Sequence, residues 1–218
     1  MSAVTIATND SIGILTSLLV QYGPVWMGVG LSPTAPVSGQ THLNLETSSA
    51  SKDALGNNIR IPATLSSTTQ VLPNDTFQAS GLMTWDSSKS ISEVGLFTTN
   101  GLVSYSTGTV AVAGTAVIGT GTHFSGALVG PGMRIGFGAV DPLLITTWYT
   151  IATVNSDTSI TLTGTAGTIA AGSHYIIQTG SASPTGGVLF AVSVLSTPVT
   201  LNIGDTETFQ LNFRYRAP

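Results

Sequence analysis

The sequence predicts an all-β protein with one short N-terminal helix. An antiparallel β-sandwich host domain is expected to carry a second small domain, a β-barrel or sandwich, inserted in a hairpin. Three observations predict this class. Short segments rich in β-branched and hydroxyl side chains follow one another, separated by turn residues. The last segment alternates apolar and polar residues, and two strand-like segments distant in the chain resemble the two arms of one hairpin.

The helix is predicted near the start of the chain. Asp10 or Ser11 can cap it, because a side-chain oxygen accepts from the otherwise unpaired amides of the first turn. Gly23 and Pro24 are expected to end it. The apolar residues at helical spacing are Ile12, Ile14, Leu15, Leu18 and Leu19.

The last strand has the clearest pattern. In TFQLNFRYR, residues 208–216, apolar and polar side chains alternate strictly, which is typical of a sheet with one dry face. Gly204 and Asp205 supply the turn before it. The apolar positions are Phe209, Leu211, Phe213 and Tyr215.

Residues 91–100 (ISEVGLFTTN) and 186–195 (GGVLFAVSVL) resemble neighbouring strands of one hairpin, although a long stretch separates them. We therefore assign residues 1–100 plus 187–218 to the host domain and 101–186 to an inserted β-domain. Loop tips tolerate such insertions. Within the inserted domain, the strand candidates are GTVAVAGTAVIGTGTHF, WYTIATVNSDTSITLTG and SHYIIQ.

The composition excludes several classes of protein. Of 218 residues, 6 are basic and 10 acidic, so 7% are charged, against about 25% in an average domain. A net charge of -4 argues against binding nucleic acid, whose affinity depends on phosphate neutralisation. The longest apolar stretch, Ile12 to Val20, is too short to cross a membrane, so no membrane association is expected. The 33 Thr and 25 Ser are expected to solvate the surface, and partner subunits to cover the rest.

No catalytic or metal site is predicted. His42, His123 and His174 are scattered, and none has a second ligand at metal spacing. Asp205 and Glu207 lie beside a turn, where a solvated role is expected. There is no cysteine, and no GxSxG or phosphate-binding pattern is present. We therefore expect no enzymatic activity, no cofactor and no metal.

The aromatic and leucine residues of DPLLITTWYTI are the candidate partner interface. Trp148 and Tyr149 stand close to Leu143 and Leu144, so they can contact a partner subunit or stack on a sugar. Packing in the core of the inserted domain is the alternative. Trp26 and Trp85 lie in strand-like segments and are expected in the host core.

The order of segments resembles a family of tailed-bacteriophage virion proteins. The host matches are WMGVGLSPTAP, Asn74-Asp75 before TFQASGLMTW, ISEVGLF, GGVLFAVSV and LNIGDTETFQLNFRYR. Residues 101–186 are similar to a β-module of phage fibres. Its motifs lie at Thr109 to Val112, Gly119 to Phe124, Pro131 to Ile135, Tyr149 to Val154 and Ser159 to Thr163. Ala191 replaces an arginine common in the family, and the large insert is not part of its basic pattern.

This resemblance implies a non-enzymatic virion component, with a compact antiparallel β-sandwich as the host fold. A capsid cement or decoration protein on the capsid surface is the first expectation. A tail fibre, neck or baseplate protein with a receptor- or glycan-binding role is the alternative. The expected partners are the major capsid protein or other virion proteins, together with further copies of the chain in a homotrimer.

Overall fold

The computed structural model describes residues 9–23, 25–70 and 75–214, and it confirms the predicted all-β class. One α-helix accompanies antiparallel strands in this part of the chain. Three residues named in the sequence analysis, Pro24, Asn74 and Tyr215, lie outside the described residues. The helix and strands are α1 (Asn9–Tyr22), β1 (Trp26–Gly30), β2 (Glu46–Thr47), β3 (Ile61–Pro62), β4 (Thr64–Thr68), β5 (Thr76–Thr84), β6 (Lys89–Phe97), β7 (Ser104–Tyr105), β8 (Thr109–Ala113), β9 (Ala116–Thr120), β10 (Arg134–Phe137), β11 (Trp148–Ser156), β12 (Ser159–Leu162), β13 (Thr168–Ser173), β14 (Tyr175–Gln178), β15 (Leu189–Leu201) and β16 (Thr206–Arg214).

The chain forms two compact units. The first unit comprises Met1–Ala50, Arg60–Asn100 and Gly187–Pro218, and the second comprises Ser51–Ile59 and Gly101–Gly186. The sequence predicts residues 51–59 in the host domain, whereas in the structure they group with the second unit. The chain therefore passes between the units four times.

The first unit contains two antiparallel sheets. One sheet has the order β15-β6-β1-β2, with β3 also pairing with β1, and the other has the order β16-β5-β4. Strand β6 pairs with β15, so Phe97 lies opposite Leu189, as the sequence predicts for the two distant segments. Side chains from both sheets form one buried core, which includes Met27, Phe77 and Trp85. Trp26, also expected in this core, is only half-buried.

The alternation of the last strand is confirmed over its described residues. Strand β16 pairs with β5 along nine residues, from Thr206 opposite Thr84 to Arg214 opposite Thr76. Phe209 and Leu211 are buried and Phe213 is half-buried, whereas the intervening residues are exposed. One side of the strand thus belongs to the core of the first unit.

Helix α1 packs on the first unit through one side. Leu19 and Val20 contact the core. Thr16, which precedes them by about one turn on the same side of the helix, is fully buried. The helix begins at Asn9, so Asp10 and Ser11, the predicted capping residues, lie inside its first turn instead. At its other end, the Gly23 amide donates to the Leu19 carbonyl at 2.7 Å, which agrees with the predicted end at Gly23.

The second unit contains an eight-stranded antiparallel sheet in the order β13-β8-β9-β12-β11-β10-β14-β7. Its strands cover the three segments predicted from the sequence. Phe124, Ile135 and Tyr175 are fully buried in its core. The Tyr175 hydroxyl donates to the Thr107 carbonyl at 2.5 Å, and burial raises the pKa of Tyr175 well above its ordinary value.

Hydrogen bonds through Asn57 and Asn58 join residues 51–59 to the rest of the second unit. The Asn57 side chain is fully buried, donates to Gln178 Oε1 at 3.2 Å and accepts from the Gly180 amide at 2.8 Å. The Asn58 side chain donates to the carbonyls of Ser181 and Ala182, at 2.8 and 3.1 Å. Because buried amides must be hydrogen-bonded, these contacts make the segment part of the second unit.

Asp53 fixes the conformation of that segment. Its carboxylate accepts from the amides of Leu55 and Asn57, at 2.9 and 2.8 Å, and from the Asn57 side chain at 2.8 Å. Burial alone would raise the pKa of Asp53, but the hydrogen bonds from Asn57 and Leu55 lower it below its usual value. The segment is therefore held in one conformation by an ionised side chain.

Candidate partner-binding surfaces

Several of the few charged side chains are withdrawn from the surface of the first unit. Arg60, Asp75 and Glu93 are buried, and the Glu46 side chain is only 8% exposed. The surface consequently carries even fewer charges than the sequence alone indicates. Contacts that such a surface makes with other proteins must depend mainly on shape, apolar area and hydroxyl groups.

Arg60 and Glu46 form a buried ion pair. Arg60 Nε and Nη2 donate to the two oxygens of Glu46, at 2.7 and 3.0 Å. The guanidinium also lies over the ring of Phe97, 3.4 Å from its centroid. Burial raises the pKa of Glu46, and the hydrogen bond and charge of Arg60 oppose that rise. These charges hold the unit together and do not face a ligand.

Two glycines of β1 make room for buried carboxylates. A Cβ atom on Gly28 would lie 2.9 Å from Glu46 Oε1, and one on Gly30 would lie 2.6 Å from Glu93 Oε2. Glu93 in turn accepts from the amide and the side chain of Asn44, at 2.7 and 3.0 Å. The glycines of the MGVG segment thus have a packing role.

Helix α1 exposes a second apolar side to solvent. Ile14, Leu15 and Leu18 are 61, 47 and 47% exposed, and Tyr22 is 74% exposed. These residues share one side of the helix because they follow each other at intervals of three and four residues. No Asp, Glu, Lys or Arg occurs between Asp10 and Glu46. The exposed side of the helix is therefore both apolar and uncharged.

A cleft adjoins this side of the helix. It has a volume of about 310 Å³ and is lined by Leu19, Tyr22, Gly23, Thr98 and Phe190. Phe190 is 45% exposed, and its ring contacts Phe77 and Phe213 edge-on, each at 6.4 Å between centroids. We call Ile14, Leu15, Leu18, Tyr22 and Phe190 together the α1 surface.

The candidate interface of the second unit lies in the hairpin loop between β10 and β11. Leu143 and Leu144 are 76 and 68% exposed. Asp141 holds the loop, because its carboxylate accepts from the Leu143 amide at 2.9 Å, and Pro142 follows it in a single 3₁₀ turn. The structure thus presents these two leucines on a well-formed turn.

The two aromatic residues of the predicted interface are half-buried. Trp148 starts β11, and the Arg134 guanidinium lies 4.2 Å from the centre of its ring. Tyr149 packs against the core of the second unit and against Phe137, at 5.8 Å between ring centroids. The four predicted residues therefore separate into two exposed leucines and two aromatic rings that are partly covered within their own unit.

The α1 surface was not predicted from the sequence. Helical periodicity selects the apolar residues but does not tell which of them face the core, and α1 is apolar on both sides. The signal that could have indicated the surface is the small number of polar residues in the helix. In the last two turns of α1, the exposed polar side chains are those of Ser17 and Gln21.

The described residues hold no cluster of three or more His, Asp or Glu side chains suited to a metal ion. His123 lies 3.8 Å from Asp157, and both side chains are exposed. A hydrogen bond from Ser125 lowers the pKa of Asp157. Among residues 9–23, 25–70 and 75–214, no helix has the length and hydropathy needed to span a membrane.

Comparisons of the chain with protein-family models, with curated proteins and with solved structures gave no match.

Proposed function

We propose that the chain is a non-enzymatic structural component of a bacteriophage virion, in the first place a cement or decoration protein that stabilises the capsid through protein–protein contacts. The observation that carries this proposal is the pair of exposed apolar features, the uncharged α1 surface and the loop with Leu143 and Leu144. Exposed apolar patches of this kind mark association surfaces.

The distribution of charge supports an assembly role. Arg60, Glu46, Glu93 and Asp75 are engaged inside the first unit, as described above. Contacts between the remaining surfaces and a capsid shell would have little ionic character, so salt would screen them weakly. A cement protein benefits from such contacts because the shell must stay intact when the ionic strength changes.

The resemblance of the sequence to tailed-phage virion proteins supports the choice of a virion as the assembly. It rests on the ordered motifs of the host segments and of residues 101–186. Under the proposal, one of the two apolar features binds the major capsid protein or a neighbouring virion protein. The other binds further copies of the chain in a homotrimer.

Cryo-electron microscopy of virions from the phage that encodes the chain tests this function. We expect density for both units on the outer face of the capsid, in a fixed ratio to the major capsid protein. Density confined to the tail, neck or baseplate would contradict the cement role and favour the alternative. Absence of the chain from purified virions by mass spectrometry would overturn the proposal as a whole.

Salt dependence gives a biochemical check. Capsids that lack the chain are incubated with purified protein and then washed at increasing ionic strength. We expect the bound fraction to change less than about twofold between low salt and roughly 1 M salt, because few exposed ion pairs are available for screening. Complete release at moderate salt would show that the contacts are ionic.

A further inference from the structure

We propose that the α1 surface is a self-association interface, on which the α1 helix of a second copy of the chain packs. The inference rests on the homo-oligomer of the proposed function, and it names the surface that makes it. The spacing, area, charge and shape of the α1 surface support it.

The spacing of the exposed residues suits packing against another helix. Leu15, Leu18 and Tyr22 follow at intervals of three and four, which is the a/d spacing of helices that pack side chains into the gaps between their neighbour's side chains. Ile14, four residues before Leu18, adds a further exposed apolar side chain beside this row. The 14-residue helix therefore presents three successive apolar a/d positions, and the body of the unit supports it.

The exposed area of the α1 surface is enough for a small contact between two copies. The exposed fractions of the five residues correspond to roughly 550 Å² of surface, given 150–250 Å² for a large side chain. Two copies together would bury about 1,100 Å² when this area is fully covered, which clears the ~1,000 Å² expected of a biological interface and lies just below the ~1,200 Å² of stable specific ones. A single isolated leucine would not reach either value.

The charge and shape of the surface favour a second copy over a partner of different chemistry. The surface has no charged residue, so two copies can approach with no like-charge repulsion and without a complementary charge pattern. It also combines a ridge, formed by Ile14 and Leu18, with a cleft bordered by Tyr22 and Phe190. The ridge of one copy can enter the cleft of the next, which is the head-to-tail contact that a homotrimer needs.

Sedimentation equilibrium of the purified full chain tests the proposal. We expect a mass of at least two chains of 22.2 kDa at micromolar concentration. The double variant Ile14→Glu and Leu18→Glu should raise the dissociation constant about tenfold or more, because it places charges in the middle of the interface. The matched control is Ile203→Glu, since Ile203 is 73% exposed in the turn between β15 and β16.

Disulfide trapping gives a second measurement, and unlike the glutamate variants it introduces no charge that could disturb folding. The chain contains no cysteine, so a single introduced thiol can only be linked to another copy. Under mild oxidation, we expect Leu18→Cys to form covalent dimers about tenfold faster or more than Ile203→Cys, because close approach raises the effective concentration of the two thiols.

A monomeric wild-type chain, or equal trapping rates for Leu18→Cys and Ile203→Cys, would overturn the inference. A different protein would then occupy the α1 surface. This failure is distinct from failure of the proposed function. If the chain is monomeric in solution but present on capsids, only the proposed self-association interface is wrong. If it associates through α1 but is absent from virions, only the proposed virion function is wrong.

Discussion

Arg60 and Glu46 form an ion pair inside the first unit, with 2.7 Å between Nε and Oε1 and side chains that are 1 and 8% exposed. The Phe97 ring covers the guanidinium, and the Thr99 carbonyl accepts from Nη1 at 3.2 Å. The pair connects β2 to the segment just before β3. Two of the sixteen charged residues are thus used for internal structure.

Removal of one partner of this pair should destabilise the protein strongly. Glu46→Ala leaves the Arg60 guanidinium buried without its carboxylate, and we expect a loss of about 3–5 kcal/mol in the free energy of unfolding. Urea unfolding followed by tryptophan fluorescence measures it. The double variant Glu46→Ala with Arg60→Met should cost less than the sum of the single variants, because no unpaired charge remains. Additive losses would show that the two side chains act independently.

Substitutions at the two β1 glycines should also destabilise the first unit. We expect Gly30→Ala to cost about 1–3 kcal/mol, because the new methyl group would lie 2.6 Å from Glu93 Oε2 and 2.7 Å from the Asn44 carbonyl. The thermal midpoint measures the effect. Gly164→Ala is the control, since a Cβ atom there meets no atom within 4 Å. Equal midpoints for the two variants would contradict the packing role of Gly30.

Asn57 should be essential for the second unit. Asn57→Ala leaves the buried Gly180 amide without its acceptor and removes one of the two donors to Gln178 Oε1, and we expect a loss of about 2–4 kcal/mol. Hydrogen exchange by mass spectrometry should locate the loss of protection in residues 51–59 and around Gly180. Asn155→Ala, which removes exposed side-chain hydrogen bonds to Ser159 and Thr161, is the control and should change stability by less than about 0.5 kcal/mol.

The segment around Asp53 should loosen in acid. The pKa of Asp53 is lower in the folded chain than its ordinary value of 3.8, so its stabilisation is complete above pH 3.8 and is lost as the pH falls through the folded pKa. Amide exchange at Leu55 and Asn57 should accelerate in that range. In Asp53→Asn, the exchange rates should depend on pH only through the intrinsic chemistry. An unchanged acid response in this variant would assign the transition to another group.

Substitution of Trp148 distinguishes a sugar-binding role of the second unit from a structural role of this residue. Arg134 lies over one side of the Trp148 ring, and its Nη2 donates to Gln178 Oε1 at 2.9 Å, so the ring is held within its own unit. We expect Trp148→Ala to lower the thermal midpoint by several degrees, through lost packing and the lost cation–π contact. Glycan-array binding by the wild type that disappears in Trp148→Ala would instead support the receptor-binding alternative.

The sequence alone predicted features that follow from local patterns. The alternation around Phe209 and Leu211 marked one dry face of β16, and the apolar segments 91–100 and 186–195 predicted the pairing of β6 with β15. The low charge could be counted directly. These predictions succeeded because side-chain direction alternates along a strand, so the sequence itself records which positions share a face.

Tertiary structure alone decided which apolar residues stay exposed and which charged ones are buried. Ile14 and Leu19 are equally apolar, but only packing against β4 and β5 covers Leu19 and leaves Ile14 in solvent. Similarly, nothing local to Arg60 or Asn57 shows that one stacks on Phe97 and the other bonds to Gly180, more than a hundred residues away. Burial depends on which distant segments meet, and that choice belongs to the whole chain and not to any one stretch of it.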